Sequence, residues 1–70
     1  MRYSNQKTLE RYKKMKQLYM NPKTEIISYQ TNIHRTSLSL FANERQELTP
    51  ENLERLNIWL DEKLSVFEKV

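Results

Sequence analysis

Between Thr24 and Asn43, in TEIISYQTNIHRTSLSLFAN, the apolar positions Ile27, Ile33, Leu38 and Phe41 are separated mostly by small or polar residues. A single long helix would need a spacing of roughly 3.6 residues throughout, and these positions do not supply it. Two short helices joined by a tight turn near Asn32 bring the same residues together. Ile26 and Ile27 then face inward from the first helix, Leu38 and Phe41 from the second, and Ile33 plugs the bend. The pattern predicts a helix-turn-helix over about 24–43.

The flanks read as helices as well. Leu9, Tyr12, Met15 and Tyr19 recur at three- and four-residue steps and form one apolar stripe, with Lys13, Lys14 and Lys16 mostly off it. Ser4 or Thr8 is the candidate N-cap, and Pro22 prevents continuation. The next helix starts either at Pro22 with Asn21 as cap, or slightly later with Thr24 as cap; Glu25 lies in its first turn in both cases. His34 opens the following helix, and residues 44–48 form a polar connection. Thr49 then caps a long last helix, about 50–68, with Pro50 at its first position and Glu51 after it. Leu48 and Leu53 are placed to close a hydrophobic staple across that start. Leu53, Leu56, Leu60, Leu64 and Phe67 trace one face, with Trp59, Val66 and Val70 beside it. This arc is wider than a four-helix body needs, so Trp59, Val66 and Val70 are the expected surface for self-association. The fold class expected is all-α, with four to five short helices.

Composition narrows the chemistry. Seventy residues make one domain with a modest core. There is no Cys, which removes disulfides and thiolate ligands, and no Gly, which argues against phosphate-cradling loops. His34 lacks a companion at ligand spacing, so neither metal nor cofactor is expected. No nucleophile–base pair can be assembled, and an enzyme is not expected. No apolar run approaches the roughly 20 residues of a membrane span, and the start lacks a signal-peptide core, so a cytoplasmic setting is expected. The net charge of +3 is unevenly spread. Residues 1–23 carry seven Lys/Arg against one acid, residues 24–48 two against three, and residues 49–70 three against five. A basic end on a nearly neutral body is compatible with phosphate contact and equally with a solvated helix face.

The run NIHRTSLSLFAN, followed by the helix start ELTPENL, resembles the Cro/C1-type helix-turn-helix family of phage repressors. The resemblance covers about residues 9–64 and is most specific over 24–60. It implies a lambda-repressor-like domain that regulates transcription by binding double-stranded DNA, its second motif helix in the major groove. Arg35, Thr36, Ser37 and Ser39 lie on the free side of that helix, where Arg35 can fork onto a guanine. By resemblance Asn43 and Thr24 contact phosphates, with Lys23 and the basic first helix adding nonspecific attraction. Repressors of this type act as homodimers on two half-sites about one helical turn apart. Asn32 stands where the family usually has Gly, and Asn is the non-Gly residue best suited to a left-handed backbone. Glu44 stands where Gly often follows the Asn, and with Glu47 it places acid near a phosphate contact. This favours an alternative in which Glu44 belongs to a protein interface. The chain then acts as a phage-type modulator or antirepressor that binds a partner repressor.

Overall fold

The computed structural model describes residues 3–68, with side chains through Val66. Four helices follow one another: α1 (Asn5–Leu18), α2 (Thr24–Thr31), α3 (Arg35–Ala42) and α4 (Pro50–Glu68). The protein is all-helical over these residues, as the apolar spacing predicts. Four helices pack around one core cluster, which takes Tyr12 and Met15 from α1, Ile27 from α2, and Leu38 and Phe41 from α3. Ile33 fills the α2–α3 bend, Leu48 precedes α4, and Leu53, Leu56, Trp59, Leu60 and Leu64 come from α4. Helix α1 packs chiefly on α4, and α2 on α3.

The helix boundaries have local causes. Ser4 caps α1, its hydroxyl accepting from the Lys7 N–H at 3.0 Å. Thr8 is buried inside the helix rather than capping it. Thr49 caps α4, accepting from the Asn52 N–H at 3.3 Å, and both Leu48 and Leu53 are buried across that start. The backbone cap of α2 is Lys23, with no side-chain hydrogen bond; Thr24 is the first helical residue, not the cap. His34 caps α3, its Nδ1 accepting from the Thr36 N–H at 3.1 Å.

Without glycine, the chain puts other residues into left-handed backbone where helices end. Met20, Asn21, Asn32 and Glu44 have φ of 60°, 58°, 61° and 59°. Glu44 is the left-handed residue of a Schellman motif. Its N–H donates to the Phe41 carbonyl at 3.1 Å, and the Arg45 N–H donates to the Leu40 carbonyl at 2.9 Å. These bonds satisfy carbonyls that the end of α3 leaves open, which offsets the cost of a Cβ in that conformation. The Ser28 hydroxyl donates to the Ile33 carbonyl and ties the α2–α3 turn.

Three expectations are corrected. Ile26 does not face inward: it is 51% exposed, because α2 turns about 100° per residue and only Ile27 and Thr31 point at the core. Tyr19 closes its stripe only partly, its hydroxyl donating to the Lys63 carbonyl at 2.8 Å. Trp59 is 9% exposed and belongs to its own core, its Nε1–H donating to Gln30 Oε1 at 2.9 Å. Trp59 therefore leaves little of its side chain to the expected joining surface, because α2 covers most of it. Val66 is 63% exposed, and Val70, like the Phe67 side chain, lies outside the described residues.

Candidate nucleic-acid interface

Helix α3 is anchored on one side by Leu38 and Phe41, 0% and 3% exposed. Its other side is set by helical geometry. At about 100° per residue, Thr36, Leu40 and Asn43 fall on one outward ridge with Ser39 beside it. Thr36, Ser39 and Asn43 are exposed, and Leu40 is half-buried. Ser37 falls close to Phe41 around the helix and is half-buried, so it leaves the proposed reading face.

Four of the predicted contact residues come together. Thr24, Arg35, Thr36 and Ser39 line one shallow concavity between the start of α2 and the outer side of α3, joined there by Glu25 and Leu40. Lys23 stands exposed at the start of α2, whose first turn has no side-chain cap. Helix N-termini present N–H groups and a partial positive charge, a combination that suits an anionic oxygen. Asn43 stands apart at the other end of α3 as its C-cap.

The electrostatics differ from a simple basic patch. The Arg35 guanidinium is paired with Glu25, Nη1 to Oε1 at 3.2 Å, and both side chains are largely exposed. The Glu44 carboxylate is paired with Lys13 of α1 at 3.6 Å. Such exposed pairs contribute roughly 0–1 kcal/mol, so neither holds its partner firmly. Their effect is on local charge: the lone arginine of α3 and the acid after Asn43 both have a neighbour of opposite sign. Lys13, Lys14 and Lys16 share a concavity along α1 with Glu10, Gln17 and Asn21. Lys16 also lies over the Tyr12 ring, 5.4 Å from its centroid. Burial pushes the Tyr12 hydroxyl pKa upward, and its oxygen finds no hydrogen-bond partner among the described residues.

Sequence reasoning missed two features of this region. Leu40 has the outward position on α3, detectable in hindsight because it sits one turn after Thr36 and off the Leu38–Phe41 side. The Glu25–Arg35 pair spans ten residues and two helices, and no local spacing rule reports it. Among the described residues no group of His, Cys, Asp and Glu could hold a metal ion, and no helix is long and apolar enough to cross a membrane. No family model, curated protein or solved structure matches the chain.

Proposed function

We propose that this chain is a DNA-binding transcriptional regulator of phage-repressor type, non-enzymatic and cytoplasmic, that reads the major groove with α3. The observation that supports this most is the outer ridge of α3, with Thr36, Ser39 and Asn43 exposed around Leu40, held on two buried anchors beside the uncapped start of α2. In this reading Thr36 and Ser39 approach base edges, while Arg35 reaches a base or a phosphate by exchanging Glu25 for it. Thr24, Lys23 and Asn43 contact the backbone, and the lysines of α1 add nonspecific attraction. A lambda-repressor-like homodimer on two half-sites goes with this reading, with Val66 the exposed described residue of the expected joining surface.

A second reading is favoured by a specific observation. Tyr29 and Ile26 of α2 are 89% and 51% exposed. Large exposed apolar side chains suit a protein partner, as for an antirepressor that occupies a repressor.

Glu44→Lys separates the two. Under the DNA reading it removes a repulsion near Asn43. Affinity rises similarly on all duplexes, and the slope of log K against log salt steepens by about one unit at most. Under the protein reading the same change weakens the complex with the repressor, and DNA binding stays negligible at every salt concentration. Both titrations on one preparation decide between them.

A further inference from the structure

Leu40 is apolar, yet it is not among the side chains packed on the core cluster. It is half-buried on the outer side of α3, between the exposed Thr36 one turn before it and the exposed Asn43 three residues after it. It shares the concavity at the start of α2 with Thr36, Ser39, Arg35 and Glu25. The only cation there is turned to Glu25. The centre of this face therefore offers a hydrocarbon group with hydroxyls around it, and no donor fork is free of a competing carboxylate.

Among the unmodified base pairs, the major-groove edges carry one apolar group, the 5-methyl of thymine. A leucine has neither donor nor acceptor, so that methyl is the one feature it can distinguish. We infer that α3 reads a thymine in each half-site through apolar contact between Leu40 and the thymine 5-methyl group, which makes Leu40 a specificity-determining residue. This rests on the DNA reading above and replaces guanine with thymine as the base at the centre of the face.

The test begins with selection from a pool of random unmethylated duplexes at moderate salt. Each thymine of the recovered site is then replaced singly by deoxyuridine, which deletes the methyl and keeps the hydrogen-bonding edge. At one position per half-site, Kd is expected to rise about fourfold, the equivalent of roughly one buried methyl group. Leu40→Ala should abolish that difference, binding thymine and uracil duplexes equally, and Leu40→Met should retain it. The uracil series leaves the protein unaltered, so a neutral series overturns the inference even if a Leu40 variant folds poorly. Where one position responds, Leu40→Met with Leu40→Ala assigns the contact to Leu40 rather than to the Thr36 methyl. A recovered site on which every uracil substitution is neutral overturns the inference and leaves the DNA reading standing. So does a Leu40→Ala protein that folds and still discriminates. If no duplex is enriched, the DNA reading fails, and this inference fails with it.

Discussion

Along the α1–α4 seam polar side chains turn inward, whereas at the α2–α3 corner they turn outward. In the seam Asn57, 1% exposed, donates through Nδ2 to Thr8 Oγ1 and to the Leu53 carbonyl, each at 2.8 Å. Its Oδ1 accepts from Arg11 Nη1 at 2.6 Å, and Arg11 also reaches Asp61. Every polar atom of the Asn57 side chain is thereby satisfied, which makes burial tolerable and ties two helices distant in sequence into one register. At the corner the only buried polar side chain is Thr31, which satisfies itself on the Ile27 carbonyl at 2.7 Å. The remaining polar groups of α3 are left at the surface or half-buried. A seam that consumes its hydrogen bonds suits a scaffold. The corner leaves the side chains of Thr36, Ser39 and Asn43 exposed.

The corner still depends on its few apolar anchors, and the largest effect is expected there. Leu38→Ala should cost about 2–5 kcal/mol, because the side chain is fully buried and its cavity cannot close without moving α3. A thermal melt with an unchanged midpoint would mean that α3 is not held as described. The seam should respond less strongly and by a different mechanism. Asn57→Ala leaves the Thr8 hydroxyl, the Leu53 carbonyl and one side of Arg11 without this partner, an expected cost of about 1–3 kcal/mol in denaturant titration. If the variant is as stable as the parent, the network does not set register, and the contrast between seam and corner is lost.

The smallest effect sits where the two regions meet. Tyr12 of α1 packs on Phe41 of α3, ring centroids 6.1 Å apart, with its hydroxyl buried and unpartnered among the described residues. Tyr12→Phe should therefore be neutral or stabilising by about 1 kcal/mol. Burial raises the folded-state pKa above the ordinary value of about 10. As pH rises through that value the unfolded chain gives up this proton while the folded chain keeps it, so stability falls. The phenylalanine variant should lose less stability than the parent between neutral pH and the alkaline side of that value. Parallel pH–stability curves for the two proteins would show that this hydroxyl is solvated.

Much of this architecture is legible in the residues alone. The Ser4 and Thr49 caps, Pro22 and Pro50, and the steps of the leucines in α4 are local signals, because capping and helical periodicity act within a turn or two. The bend at Asn32 and the anchors Leu38 and Phe41 follow from the same rules, as does the i,i+4 pair of Glu51 with Arg55 at 3.1 Å. The sequence by itself thus determined an all-helical chain of four to five short helices, their order, and which faces of α3 and α4 are apolar, and the structure has four. Only the tertiary structure decided how the partly apolar positions are used. Ile26 and Trp59 differ in exposure because α2 covers the indole and leaves the isoleucine outside. Asn57 is buried because Thr8 and Arg11 arrive from α1. Arg35 is shared with Glu25 because the bend sets α3 beside the start of α2. Each outcome depends on a neighbour distant in the chain, whose position is set by packing and not by any local preference.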